Sequence, residues 1–179
     1  MLRNPLTWLL LFVVSTALAA CCGSVACDCR DNLDDAIAFR FNTNTTTPQG
    51  FRPEELDTVY IRRVPLDTAQ RPRADTVLLT GGRSLFVSSF LINNGTPFGQ
   101  SGTRKLDQYT YKIYLGRRRA PKDSFVLKDI QIEDRFAGDG CCTCNLNTRK
   151  DLRVDGQYFN LTDPNGNDRL DTLILNRQF

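Results

Sequence analysis

The chain has no histidine, and its only methionine (Met1) and only tryptophan (Trp8) lie at the N-terminus. Without an imidazole, neither a Ser-His-Asp or Cys-His nucleophile nor a histidine-ligated zinc site can be built. The remaining catalytic route is a pair of carboxylates, as in glycoside hydrolysis, for which segments 31–35 and 132–134 supply acids. We therefore predict that the protein is not an enzyme, and we keep a carboxylate-based hydrolase as an alternative.

A large excess of charge of either sign is also missing. The chain carries 23 basic and 20 acidic residues, a formal net charge of +3. Such a balance argues against a general polyanion-binding role and predicts no nucleic-acid partner. The basic run 117–119 lies between strand-like segments and is predicted to be a solvated loop.

The N-terminus has the pattern of a targeting segment. Arg3 precedes an apolar stretch over residues 6–17, and small residues follow. The apolar stretch is shorter than the ~20 residues that span a bilayer. We divide the chain into a signal peptide (1–20), a cysteine-rich leader (21–35) and one folded domain (36–179).

The sequence Leu18-Ala19-Ala20-Cys21 resembles the lipobox of bacterial lipoproteins. The resemblance implies that the Cys21 thiol receives a diacylglycerol, that the chain is cut before Cys21, and that the new amine is acylated with a fatty acid such as palmitate. Several acyl chains anchor a protein stably where one does not. Because residue 22 is not aspartate, the outer membrane is expected rather than the inner one. The alternative is an ordinary secretory signal that is cut elsewhere.

Six cysteines remain after Cys21, and they form two clusters. An even count in an exported chain indicates disulfides, because the compartments outside the cytoplasm are oxidising. The clusters lie about 115 residues apart (142 minus 27), so a bridge between them closes a loop that stabilises the fold by about 4 to 5 kcal/mol. The disulfide candidates are Cys22, Cys27, Cys29, Cys141, Cys142 and Cys144.

The spacing within each cluster indicates how the cysteines pair. Residues two apart in an extended strand face the same side, so Cys27 and Cys29 are neighbours, as are Cys142 and Cys144. We expect two bridges between these pairs. Whether Cys22 and Cys141 pair or stay free is left open, since six cysteines permit fifteen connectivities.

A thiolate site for Zn²⁺ or Cu(I) is the alternative function for the same sulfur atoms. The chain contains one C-x-x-C spacing, Cys141 to Cys144, and no histidine to complete such a site. A thioredoxin-like redox role would need this spacing near a βαβ pattern, and the sequence around Cys141 and Cys144 has no helical pattern. We therefore predict disulfides, with no metal and no cofactor.

Nearly every ordered segment has the pattern of a strand. Residues 108–115 alternate apolar and polar side chains, and short segments rich in β-branched and aromatic residues recur along the chain. Asp155-Gly156 lies between two such segments and predicts a hairpin turn. We predict an all-β, antiparallel two-sheet sandwich of immunoglobulin-like type in a single domain, with a small barrel as the alternative.

The triplet Asp-Thr-apolar occurs four times in the sequence. Its structural interpretation is a turn that ends at aspartate, followed by the start of a strand. The triplet also resembles the O-glycosylation acceptor of exported Bacteroidetes proteins, which would place a sugar on the threonine. The candidate acceptors are Thr58, Thr68, Thr76 and Thr172.

Residues 163–168 space oxygen-bearing side chains like part of a calcium loop. The segment lacks the glycine and the carboxylate that an EF-hand requires at its sixth and twelfth positions. A tight turn is therefore the default interpretation, and a calcium site of another type is the alternative. The calcium candidates are Asp163, Asn165, Asn167 and Asp168, with Asp171 as a further acid.

These features together resemble the uncharacterised envelope lipoproteins of Bacteroidetes. The resemblance implies a location and covers no specific activity. We expect a non-catalytic protein of the cell envelope with a binding, structural or assembly role. Its expected partners are a membrane, through the N-terminal lipid, and an envelope protein or glycan. The expected contact surfaces are strand edges and a mobile loop over residues 93–103.

Overall fold

The computed structural model places one helix and nine strands among the residues that it describes. Helix α1 (Pro5–Gly23) includes residues 5–20 of the predicted signal segment. The strands are β1 Ile37–Phe41, β2 Thr58–Pro65, β3 Asp75–Thr80, β4 Phe90–Ile92, β5 Tyr109–Arg117, β6 Ala120–Asp139, β7 Cys142–Val154, β8 Gln157–Asn160 and β9 Thr172–Leu175. Described residues are 4–23, 27, 29, 33, 35–67, 69, 73–80, 87–99, 102–117, 120–139, 141–162 and 170–178, with side chains omitted for 16–23, 117, 120, 121 and 139.

The strands form two sheets. The larger sheet has six strands in the order β3-β2-β5-β6-β7-β8, and every neighbouring pair is antiparallel. The smaller sheet has the order β4-β1-β9, with β9 parallel to β1. The predicted all-β two-sheet sandwich is confirmed. Four consecutive strands, β5 to β8, are neighbours in one sheet, whereas immunoglobulin domains have the sheets ABED and CFG, so the strand order is a different one.

Aromatic side chains from both sheets meet in the core. Phe39 and Phe41 point inward from β1, and the ring centroid of Phe41 lies 6.4 Å from that of Phe125 on β6. Phe51 lies in the connection after β1. Its ring is nearly perpendicular to that of Phe41, and the two ring centroids are 5.5 Å apart. Burying each of these rings contributes about 1.5 to 3 kcal/mol. The core therefore holds the two sheets face to face.

The hairpin predicted at Asp155-Gly156 joins β7 to β8. Both residues have positive φ angles, 51° and 89°, which is the conformation that a two-residue hairpin turn needs. The side chain of Asp155 also accepts a hydrogen bond from the backbone N–H of Val126 at 2.8 Å. The turn is thus fixed to the neighbouring strand β6 as well as closing its own hairpin.

Arg63 occupies a core-facing position of β2 and is 6% exposed. Its guanidinium lies over the rings of Phe98, at 4.5 Å, and Tyr109, at 4.9 Å. It also donates to Asp75 at 2.9 Å and to the carbonyl of Gly99 at 3.0 Å. Cation–π stacking and an ion pair thus compensate the desolvated charge.

These contacts pack the first part of the predicted mobile loop against the sheet. Phe98 is 3% exposed, and the Asn94 side chain accepts a hydrogen bond from the backbone N–H of Leu106 at 2.7 Å. Residues 93–99 are therefore packed against the sheet, because Arg63 gives the loop a buried partner, and the mobility of the loop stays a prediction. Residues 100 and 101 lie outside the described part of the chain.

Replacing Arg63 with lysine is expected to lower the free energy of unfolding by about 2 kcal/mol, because an ammonium cannot keep the planar stacking and the forked hydrogen bonds. Arg40 is the matched control, since it is an exposed arginine on β1. Arg40→Lys is expected to change stability by less than about 0.5 kcal/mol. Urea unfolding of both variants measures the difference, and equal losses would contradict the role given to Arg63.

Among the described residues, Tyr111 is the largest side chain that is fully buried. Its hydroxyl donates to the carbonyl of Leu106 at 3.4 Å. Burial raises the pKa of the Tyr111 phenol well above its ordinary value, because the phenolate would lose its hydration. The folded protein therefore holds Tyr111 in its protonated form.

This raised pKa predicts a loss of stability in alkali. The unfolded chain releases the Tyr111 proton above a pH of about 10, while the folded chain retains it. The contribution of the protonated Tyr111 to the free energy of unfolding is therefore complete below that pH. It declines as the pH rises toward the pKa of Tyr111 in the folded protein. Tyr111→Phe is expected to reduce the slope of unfolding free energy against pH between about 10 and 12. Identical slopes for the two proteins, measured by urea unfolding, would exclude this effect.

Helix α1 presents apolar side chains to its surroundings. Leu6, Trp8 and Phe12 are 69 to 71% exposed, so the described side chains of the helix do not pack into the sandwich core. Among the described residues, the search for a helix with the length and hydropathy needed to cross a membrane finds none.

Candidate functional site: the disulfide-bonded arm

Strands β6 and β7 continue past their other neighbours as a two-stranded arm. We define the arm as residues 132–139 of β6 and 142–150 of β7, which pair only with each other in the described sheet. Eight strand residues extend about 26 Å. The side chain of Phe136 is 80% exposed on the arm.

Two disulfides join the leader to the distal end of the arm. Cys27 bonds to Cys142 with a Cα–Cα distance of 5.5 Å, and Cys29 bonds to Cys144 at 5.3 Å. Cys142 and Cys144 lie on one face of β7 because strand side chains alternate. The predicted pairing between the two clusters is confirmed.

The first bridge to form and the second one constrain the chain differently. Either one alone closes a loop of 115 residues, which costs the unfolded chain about 5 kcal/mol of entropy. Once that loop is closed, the adjacent bridge closes a ring of only a few residues and adds about 2 kcal/mol by the same relation. The second bridge mainly fixes the direction in which the leader runs along β7.

Because either bridge alone closes the long loop, the losses of unfolding free energy on removing the bridges are expected to be strongly non-additive. Cys27→Ser/Cys142→Ser and Cys29→Ser/Cys144→Ser are each expected to lower the unfolding free energy by about 2 kcal/mol, and the combination by about 7 kcal/mol. All of the proteins, including the reference, carry Cys22→Ser and Cys141→Ser so that no further cysteine closes the loop. Urea unfolding without reductant measures the losses. A combined loss equal to the sum of the separate losses would contradict the shared-loop account.

The other cysteines are described less completely. Cys141 is also disulfide-bonded. Cys21 and Cys22 belong to the last turn of α1, and their side chains lie outside the described residues. The pairing of Cys22 and the lipidation of Cys21 therefore stay predictions. Sulfur atoms held in disulfides are not thiolates, so the oxidised clusters cannot serve as the proposed metal ligands.

The two acidic segments of the sequence meet at the base of the arm. The carboxylate of Asp35 accepts hydrogen bonds from the Asn94 amide at 2.7 Å and from the Asn147 amide at 3.5 Å. The Asn147 amide also donates to Asp134 at 2.8 Å, and Lys105 donates to the other oxygen of Asp134 at 3.3 Å. This hydrogen bond raises the pKa of the Lys105 ammonium above its ordinary value.

This cluster connects four segments of the chain. Asp35 ends the leader, Asn94 follows β4, and Asp134 and Asn147 lie on the two strands of the arm. Asp35 is only 8% exposed, and its oxygens face amide donors rather than an open cleft. We interpret the cluster as a clamp that holds the leader against the arm. Asn94 and Asn147 gave no signal in the sequence because their partners are distant along the chain.

A separate cavity of about 220 Å³ opens between β9 and the β7–β8 hairpin. It is smaller than the roughly 300 to 1,000 Å³ of typical small-molecule sites. Phe125, Val154 and Phe159 form its apolar side, and Asp155 and Arg177 supply charge. None of the described cysteines, and none of the described acids in segments 31–35 and 132–134, lines it.

The remaining candidate residues are described only in part. Calcium candidates Asp163, Asn165, Asn167 and Asp168 lie outside the described residues, as does Thr68. Within the described part of the chain, no group of three or more Cys, Asp or Glu side chains is placed to hold a metal ion. Thr58 and Thr172 begin β2 and β9, and Thr76 follows the first residue of β3, so the strand-onset interpretation is confirmed there. Thr172 is exposed, whereas Thr58 and Thr76 are half-buried.

No known protein family, curated protein or solved structure matches this chain.

Proposed function

We propose that the protein is a non-catalytic, lipid-anchored component of a bacterial cell envelope, with a binding or assembly role. The observation that carries the proposal is the bonding of the leader cysteines to the arm. A leader that follows a lipid anchor would otherwise be a free tether. Two bridges make it a fixed connection between the anchor and the folded domain.

The length of the leader supports this interpretation. Cys27 follows Cys21 by six positions (27 minus 21), a span of at most about 21 Å. Lipidation at Cys21 would therefore hold the distal end of the arm close to the bilayer surface. The sandwich would lie beyond the arm, in water, in the periplasm or on the outer surface of the cell.

The disulfides also support an export pathway. Bridges between distant cysteines persist in oxidising compartments and are rare in the bacterial cytoplasm. The lipobox is a feature of the sequence, and the disulfides are a feature of the structure. Both indicate a compartment outside the cytoplasm. We propose the outer membrane as the anchoring membrane, because Cys22 replaces the aspartate of the inner-membrane retention signal.

Substituting the proposed lipidation residue tests the anchor directly. In a bacterial host, Cys21→Ser is expected to abolish incorporation of an alkyne-tagged palmitate and to remove the protein from the acylated membrane fraction, because serine offers no thiol for the diacylglycerol. Cys22→Ser is the matched control, since it removes the adjacent thiol and is expected to leave labelling intact. Intact mass and in-gel fluorescence measure the outcome. Equal labelling of Cys21→Ser and the wild type would refute the anchor.

A further inference from the structure

The part of β6 nearest the tip of the arm has a free edge. Residues 135–139 pair with β7 on one side, and no strand in the described part of the chain pairs with them on the other. The two disulfides hold the leader to β7 rather than to β6. A free edge presents a row of backbone N–H and C=O groups that can pair with a strand of another chain. We call residues 135–139 the edge segment.

Phe136 lies in the edge segment without a packing partner. Its side chain is 80% exposed, and it makes no ring contact within the described part of the arm. The other described phenylalanines of the sandwich, from Phe39 to Phe159, are buried or half-buried. Phe136 therefore contributes little to the core of its own chain.

Arg135, the neighbour of Phe136, is an exposed cation. Among the residues that the structure describes, no carboxylate lies within salt-bridge distance of its guanidinium. Arg149, on the other strand of the arm, differs because it contacts Asp151 at 2.6 Å. The edge segment thus carries a ring and a cation that gain no partner from the described part of their own chain.

Gly138 leaves open space at the same edge. A Cβ added at Gly138 would meet no described atom within 4 Å. The φ angle of Gly138 is not positive, so the backbone does not require a glycine at this position. Glycines at a sheet edge are stabilised when an aromatic side chain of the adjacent strand packs over them. The edge segment therefore has both a ring and a place for a ring, two residues apart.

Two copies of the edge segment complement each other when they pair antiparallel about a two-fold axis at Ala137. In this register Arg135 lies opposite Asp139 of the second copy, and Phe136 lies opposite Gly138 of the second copy. The two-fold axis makes each contact twice. Opposite charges in directly opposed positions stabilise a sheet. We propose that the protein dimerises by antiparallel pairing of the edge segments of two copies.

Other pairings of the same edge lose these contacts. Parallel pairing in register would place Arg135 opposite Arg135 of the second copy, and like charges in that position destabilise a sheet. An antiparallel register shifted by one residue would place Arg135 opposite a glycine. Pairing of β6 with β7 of another copy would be a head-to-tail contact, which gives rings or filaments rather than a dimer. The charges therefore favour the register centred on Ala137.

The dimer is compatible with the proposed membrane anchor. The two copies of Asp139, each at the end of its arm, lie four residues apart along the paired strands (139 minus 135), which is about 14 Å. Both leaders would therefore reach the same bilayer near the centre of the dimer. The inference goes beyond the proposed function and holds whether or not Cys21 is lipidated.

Sedimentation equilibrium of the full chain in a density-matched neutral detergent tests the proposal. The wild type is expected to form a dimer in reversible equilibrium with the monomer, because five residue pairs make a small interface. Arg135→Glu and Asp139→Arg are each expected to weaken the dimer by about tenfold or more, since each places like charges opposite each other at two positions. Arg135→Glu/Asp139→Arg restores opposite charges and is expected to dimerise within about threefold of the wild type.

Arg40→Glu is the matched control, because it reverses the charge of an exposed arginine on β1 in the smaller sheet. It is expected to change the dimer affinity by less than about twofold. A wild type that stays monomeric up to about 1 mM would overturn the proposal, and this is the result expected if the edge serves a different protein. A dimer that resists both single substitutions, or that the combined substitution fails to restore, would also overturn it.

Thermal unfolding at a dilution where the protein is monomeric separates pairing from folding. Phe136→Ala is expected to weaken the dimer about tenfold, because the ring loses its contact with Gly138 of the second copy. The same substitution is expected to shift the Tm of the monomer by less than about 2 °C, since the ring is exposed in the single chain. A clearly lowered Tm of the monomer would mean that Phe136 serves its own fold and would contradict its assignment to the dimer.

Discussion

The covalent connection between the leader and β7 is the constraint on which the account of this protein depends. Cys27 and Cys29 precede the first strand, and Cys142 and Cys144 lie at the distal end of a long hairpin. Noncovalent contacts at the base of the arm reinforce the connection, because the Asn147 amide joins carboxylates from the leader and from β6. The direction of the leader therefore follows from the direction of β7.

The basic side chains of the larger sheet have different surroundings in different parts of it. Arg63 is buried, and its guanidinium lies over two aromatic rings and pairs with Asp75. These contacts fix the loop 93–99 to the sheet. Arg149 is exposed and compensated by two acids. Arg62 and Lys112 oppose each other on the outer face without an acidic neighbour in the described part of the sheet. The third arrangement places two like charges in directly opposed positions, which lowers the stability of the sheet.

Local sequence patterns predicted the structural elements that are determined by residues close together in the sequence. Alternation identified the strands, Asp155-Gly156 identified its hairpin, and the two-residue cysteine spacing identified the pairs that bond. Long-range causes left no such signal. Arg63 binds Asp75 and Gly99, 12 and 36 residues away in sequence, so its neighbourhood could not be inferred.

A non-reduced peptide map with electron-transfer fragmentation tests the central claim most directly. The account predicts linked peptides in which Cys27 joins Cys142 and Cys29 joins Cys144, obtained from protein exported to an oxidising compartment. Bonds within a cluster, between Cys27 and Cys29 or between Cys142 and Cys144, would leave the leader free of the arm. That result, or four alkylatable thiols at these positions, would contradict the account.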